Sequence, residues 1–404
     1  MSNLWSENHP RNFWQCQQDF SANIWEDIIA KSFPLLELNT NQRDVDTILA
    51  LTLGEARFGA DHWTFSLPKR VYYLLKPIIP RGITRPLRRI YHHAAKKDIN
   101  TQWLIEPRYV NFLWNIMANL LLLVPGQEIF IKSLWRQNYR YALALTHDIE
   151  THIGQGFIRA VADLEEGLGF RSSFNFVPKD YRIDMNLVDE LQRRGFEVGI
   201  HGLKHDGKLF NSRPKFERSA LEINQYLKHI GAVGFRSPLT QRNPEWMQSL
   251  EIEYDLSFFD SDPFEPIPGG TMSIWPFRLG HFIELPYTLV QDYTLTDVLK
   301  EGTPRLWFKK VEFIRQHCGM ALLNSHPDYL KDKFRFKIYA EFLQTMQQQG
   351  GYWHALPCEI AQWWRQRANS EFLSKVSLDN GAIYITPQSN SPAPMTHLIS
   401  TLPS

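Results

Sequence analysis

The sequence predicts an α/β protein: a distorted (β/α) barrel of about seven or eight parallel strands, preceded by a mainly helical region. Three observations predict it. From Tyr141 onward, short β-like runs alternate with helix-like runs. Many of the β-like runs are apolar and stop abruptly at polar chemistry, as buried parallel strands do when their C-terminal ends carry a site. No repeat at a fixed period suggests a solenoid or propeller instead.

The chain has 404 residues, enough for a large core and more than one domain. We divide it into a mainly helical region over 1–140, the barrel over 141–368, and an extension over 369–404 with a hairpin and a mobile tail. A net charge of +1 gives no global electrostatic case for nucleic acid. Aromatics at 13% suit sugar-stacking surfaces and, equally, a large core. Cys16, Cys318 and Cys358 are far apart and odd in number, so they frame neither disulfides nor a metal knuckle. A reducing compartment is the simpler inference. The first ten residues lack a basic region followed by an apolar one, which argues against a secretory signal. The longest apolar stretch, 110–124, is broken by Asn111, Asn115 and Asn119 and is shorter than the ~20 residues a bilayer needs. It reads as a buried helix ended by Pro125-Gly126, and the expected location is cytoplasmic.

In chain order, 19–33 reads as a helix with Ile24, Trp25, Ile28 and Ile29 on one face, and 44–54 as another. The segment 69–97 is basic and aromatic-rich, a candidate for peripheral contact with an anionic membrane; a solvated, proline-broken connection is the plainer account. Within the barrel, strands are expected over 141–148, 171–178, 197–201, 233–236, 254–259, 282–289, 320–325 and 352–356. Helices are expected over 185–194, 216–230, 244–252, 306–317, 339–348 and 359–367. The stretch 376–385 reads as a hairpin turning at Asn380-Gly381, and the Ser- and Pro-rich remainder as mobile.

The first barrel strand ends in Thr146-His147-Asp148-Ile149-Glu150. Alternation puts Ala142, Ala144, Thr146 and Asp148 on one side, with Asp148 at the rim. The plain alternative is a core strand running into an acidic helix start. His201 ends a later strand and His205 lies four residues on. If the residues between turn helically, both imidazoles face one side and share a metal, for which neutral imidazole favours zinc. Asp148 or Glu150 completes a two-histidine, one-carboxylate set; the other carboxylate is then placed to take a proton from water. Arg236, closing another strand, can hold an active carboxylate with its fork of N–H donors. His326, closing a late strand, suits a general acid, and Asp260 or Asp262 suits its orientation. Trp275 and Phe277 are candidates for a substrate groove, with core packing the commoner fate of such residues.

Together these strand-end motifs resemble the polysaccharide deacetylase family, the NodB-homology or carbohydrate esterase family 4 domain, over 141–367. The family's Thr-Phe-Asp-Asp motif resembles Thr146-His147-Asp148-Ile149; its two-histidine motif matches His201 and His205; its arginine motif matches Arg236-Ser237-Pro238; its last histidine motif matches the segment at His326. The resemblance implies Asp148 as catalytic base, His326 as acid, His201 and His205 as metal ligands, a divalent ion, and a carbohydrate substrate that loses an acyl group. The family's second Asp falls on Ile149, so Glu150 is expected to take its place at the metal, with Asp148 steered by Arg236. Two rival readings are a small-molecule amidohydrolase whose pocket is narrowed by the loop 260–277, and a carbohydrate-binding protein that has lost catalysis.

Overall fold

The computed structural model describes residues 4–59, 62–65, 103–379 and 381–387. The segment 69–97 and the tail beyond 387 lie outside the described residues, as does Asn380.

The N-terminal helices form where local chemistry starts them. Ser21 caps the helix Ala22–Ser32, and Asp44 caps Val45–Leu51 by accepting from the Thr47 N–H at 2.9 Å. The helix Arg108–Leu123 is apolar nearly all round and is buried accordingly. Asn111 faces outward, and the other two asparagines are satisfied within the fold: Asn119 donates to the Asn115 carbonyl at 2.8 Å, and Ser32 donates to the Asn115 side chain at 2.9 Å. Strand β1 (Ile129–Lys132) follows.

The barrel then begins. Strands β2 (Tyr141–Ile149), β3 (Ser173–Phe176), β4 (Glu197–Ile200), β5 (Gly234–Phe235) and β6 (Tyr254–Asp255) pair in parallel, each with the next. After them, β7 (Phe277–Leu279) and β8 (Phe282–Glu284) form an antiparallel hairpin, and β8 pairs in parallel with β6. Strand β9 (Met320–Ser325) returns to the free side of β2, with Thr146 opposite Asn324. A parallel bridge between Leu289 and Leu323 closes the ring between the continuation of β8 and β9. Strand β10 (Tyr352–His354) runs beside the first residues of β2. The expected parallel barrel is therefore present, distorted by the reversed strand β7 and by ladders of only two residues at β5 and β6.

Three elements depart from the sequence reading. The helix His152–Gly167 is additional to the expected ones, although Ile158, Val161, Ala162 and Glu165 are buried at helical spacing; Thr151 starts it by accepting from Ile153 and Gly154. The helix expected over 244–252 stops at Met247, after which the chain turns toward β6. The expected hairpin is longer than read: β11 (Leu373–Asp379) pairs with β12 (Ala382–Pro387), and β11 also pairs with β1. The segments before and after the barrel thus share a small sheet. One apolar core runs from Trp14 and Ile116 through Leu143 and Met320 to Val376. Among the described residues, no helix is long and apolar enough to cross a membrane.

Candidate active site

The site gathers at the C-terminal ends of β2, β3, β4, β5 and β9. Strand alternation and register place its centre. Thr146 and Asp148 point inward from β2; Asp148 lies opposite Asn175 on β3, and Thr146 opposite Asn324 on β9. The Asn175 amide fits only because β4 offers Gly199 beside it, where a Cβ would sit 2.2 Å from Asn175 Oδ1.

Asp148 is held from several sides. Its Oδ1 accepts from Asn175 Nδ2 at 3.1 Å and from Arg236 Nη1 at 3.2 Å; its Oδ2 accepts from Asn324 Nδ2 at 2.9 Å. Arg236 Nη1 also donates to Thr146 Oγ1 at 2.9 Å and to Asn324 Oδ1, and its Nε to the Leu256 carbonyl at 2.9 Å. Burial raises the Asp148 carboxyl, but Arg236, His201, His326 and the Asn324 hydrogen bond together outweigh it; the pKa falls well below the usual carboxylate range.

The strand β4 ends into His201, and the turn after it is not the helical one the four-residue spacing suggested. Gly202 at φ +64° redirects the chain, and a Cβ there would sit 2.5 Å from Pro238. The His205 backbone N–H donates to Asp180 Oδ2 at 2.7 Å. The two imidazoles still approach each other, with centroids 5.4 Å apart. His201 Nδ1 lies 3.1 Å from the Arg236 carbonyl, which can only accept, so Nδ1 carries the proton. Nε2 is then the bare nitrogen, 3.9 Å from Asp148 Oδ2. Burial lowers the His201 pKa to about 4 against the pull of Asp148, so the ring is neutral at neutral pH. His205 Nε2 faces Glu150 Oε1 at 3.2 Å. Burial raises the Glu150 carboxyl, and His205, His326 and His201 together more than reverse this.

His326 follows β9 and is oriented by Asp292, not by the aspartates expected from the sequence. Asp292 accepts from His326 Nδ1 at 2.7 Å and from its backbone N–H at 3.0 Å. Burial lowers the His326 pKa, but the Asp292 charge and hydrogen bond raise it to about 10. Asp260 instead pairs with the buried Lys310, and Asp262 caps the Phe264 N–H at 2.9 Å. The groove reading of Trp275 and Phe277 also fails near this site: both are buried, and Trp275 donates to the Cys318 carbonyl at 2.8 Å. His147 points away from the mouth into a buried network, 2.7 Å from Glu165 and 2.9 Å from Ser325.

No family model and no curated protein matches the sequence. Among solved structures, a Mycobacterium smegmatis protein assigned as a polysaccharide deacetylase shares 17% identity, covering 58% of this chain and 93% of its own, with a TM-score of 0.46. An allantoinase shares 14%, covering 57% and 92%, with a TM-score of 0.44. A carbohydrate esterase family 4 pseudoenzyme from Bacillus anthracis shares 12%, covering 55% and 66%, with a TM-score of 0.38. The chain is similar in structure to polysaccharide deacetylases. Identities this low leave the chemistry to the side chains of this chain.

Those side chains suit a cation in kind. The mouth brings the bare nitrogen of neutral His201 together with a second imidazole, His205, and the carboxylate of Glu150, the donor kinds that a borderline divalent cation takes. The fixed Nδ1–H of His201 is the outer hydrogen bond that orients a metal-binding histidine. The donors stand as two pairs, His201 with Asp148 and His205 with Glu150. The expected convergence of three is not reached: among the described residues, no three His, Cys, Asp or Glu side chains form a group able to hold an ion as they stand.

Proposed function

We propose that the chain is a metal-dependent hydrolase that removes an acyl group, N-acetyl above all, from a sugar or polysaccharide. One observation carries the reading: an Arg-held carboxylate, Asp148, shares a barrel mouth with the Asp292-held imidazole of His326 and with His201, whose bare nitrogen faces that carboxylate. In this reading His201, His205 and Glu150 hold a divalent ion, zinc by the balance of imidazole and carboxylate ligands. The chemistry supplied there is polarisation of the acyl carbonyl and a lowered pKa for water.

The division of labour follows from which atoms are already engaged. Asp148 Oδ1 accepts two hydrogen bonds, whereas Oδ2 accepts one and faces His201. Asp148 therefore takes the proton of the attacking water at Oδ2 as water oxygen bonds to the acyl carbon. His326 Nδ1 is committed to Asp292, so Nε2–H gives its proton to the departing amine or alkoxide as the carbon–nitrogen or carbon–oxygen bond breaks. Both groups rest in the protonation state this direction requires. Support for a sugar comes from Tyr293 and Tyr329, partly exposed and 5.5 Å apart beside His326, which can present ring faces to a pyranose.

The test is acetate release from an N-acetylated glucosamine oligomer by the zinc-supplemented protein, with metal content measured on the same sample. His201→Ala is expected to lose bound zinc and activity while its circular dichroism is unchanged. Equal zinc in that variant would show that the site is misassigned. Release from small acyclic amides and not from the oligomer would favour the amidohydrolase reading.

A further inference from the structure

A second cavity of about 540 Å³ lies between the N-terminal arm and the barrel, lined by Phe13, Gln15, Trp25, Arg278, Trp364 and Arg367 among others. It is remote from the mouth. Its barrel wall, at Trp275, is fastened to Cys318 just before β9, whereas His326 follows the end of β9. Six residues of strand separate the two by about 20 Å.

Arg367 is the unusual lining residue. It is 1% exposed, and its Nε and Nη1 are buried with no partner; only Nη2 is engaged, donating to the Phe13 carbonyl. Among the described residues, no carboxylate pairs with it. Burial alone acts on its pKa, lowering it to about 9. Of the other charges on the lining, Arg11 lies 3.5 Å from Asp19, Arg365 donates to the carbonyls of Glu253 and His281, and Arg278 is half-buried. Two aromatic rings flank the guanidinium, Trp364 with its centroid at 4.6 Å and Phe13 at 5.7 Å. Such contacts return ~0.5–2 kcal/mol, less than the several kcal/mol that burying an uncompensated ion costs. Gln15 Oε1 is a second buried polar atom without a partner on the same lining.

We propose that this cavity is a binding site for a small organic oxyanion, a carboxylate or phosphate ester on an aromatic or apolar body. Arg367 supplies the uncompensated charge that draws the oxyanion, and Trp25, Trp364 and Phe13 take the body. The volume falls within the ~300–1,000 Å³ range of small-molecule sites. The site does not depend on the hydrolase reading, and its ligand is neither substrate nor metal for the barrel mouth.

The test titrates the full-length protein, in a buffer free of oxyanions, with inorganic phosphate, benzoate and phenyl phosphate. Tryptophan fluorescence and the thermal midpoint report binding. Benzoate and phenyl phosphate are expected to bind and raise the midpoint, with phenyl phosphate at least ten-fold tighter than inorganic phosphate. Arg367→Met is expected to weaken them ten-fold or more, while the unliganded variant is as stable as the parent or more so. Equal binding by the variant, or no response to any probe, would overturn the proposal and leave Arg367 as a guanidinium solvated by cavity water. If the variant does not fold, bromide soaked into parent crystals decides: an anomalous peak beside Arg367 supports the site, and its absence overturns it.

Discussion

Asp292 holds His326 at two points, accepting from its Nδ1 at 2.7 Å and from its backbone N–H at 3.0 Å. The first contact fixes the proton and the second fixes the ring's position, so the imidazole has one orientation and one free nitrogen. Because the folded pKa, about 10, exceeds the ordinary 6.5, the pair's stabilisation is complete below pH 6.5 and is lost as pH rises through about 10. In Asp292→Asn the slope of stability against pH over that window should flatten, by an amount on the order of a few kcal/mol. The alkaline limb of kcat/KM should move from near 10 toward 6.5. Denaturant midpoints and rates measured from pH 6 to 10 check both; an unmoved limb would remove His326 from proton transfer.

His201 carries the opposite sign. Its folded pKa of about 4 lies below 6.5, so it contributes stability above pH 6.5 that is lost as pH falls through about 4. His201→Gln, which cannot titrate, should be less sensitive than the parent to acid between those values, as read by thermal midpoints in metal-free buffer.

Gly199 should tolerate no side chain. The Cβ of Gly199→Ala would overlap Asn175 Oδ1, forcing that amide off Asp148. Overpacking of this kind costs ~1–3 kcal/mol. Loss of activity should exceed loss of fold, because the displaced group is one of the donors that position Asp148. A variant with full activity would show that the Asn175 contact is dispensable.

Glu55 ties the N-terminal region to the barrel loops. It accepts from Arg242 Nε at 2.8 Å, from Arg242 Nη2 at 2.7 Å, and from the Gly270 N–H at 2.6 Å, and all of this is buried. Burial opposes its ionisation, yet Arg242 and His62 lower the pKa to about 2. The stabilisation is present above pH 4.5 and lost as pH falls through about 2. Glu55→Gln leaves Arg242 buried without a counter-charge, and ~3–5 kcal/mol should be lost at pH 7. The difference from the parent should shrink toward pH 2; a urea midpoint unchanged at pH 7 would contradict this role.

The sequence shows some of this site directly and hides the rest for physical reasons. Asp148, His201, Arg236 and His326 each close an apolar run, so strand periodicity exposes them. Asn175 gives a fainter signal: an amide between Phe174 and Phe176 that a buried strand would have to satisfy. Asp292 gives none, because it opens a short helical segment beyond Leu289, the last residue bridged to β9, and proximity to His326 is created only by ring closure. Asp260 and Asp262 stand nearer to a strand end, yet Lys310 claims Asp260 from the helix Arg305–Gln316 across the fold. The four-residue spacing of His201 and His205 suggested helical geometry, whereas Gly202 and Pro238 bring the rings together through a loop.

The most direct measurement is acetate release by Asp148→Asn at known metal content, with Glu150→Gln beside it. An amide at 148 keeps the shape among Arg236, Asn175 and Asn324 but cannot accept the proton of water. Asp148→Asn is expected to bind zinc as the parent does and to lose activity by ~10²-fold or more. Glu150→Gln should weaken zinc binding first and lose activity in proportion. The reverse pattern, zinc lost with Asp148→Asn and kept with Glu150→Gln, would contradict the account and make Asp148 the ligand.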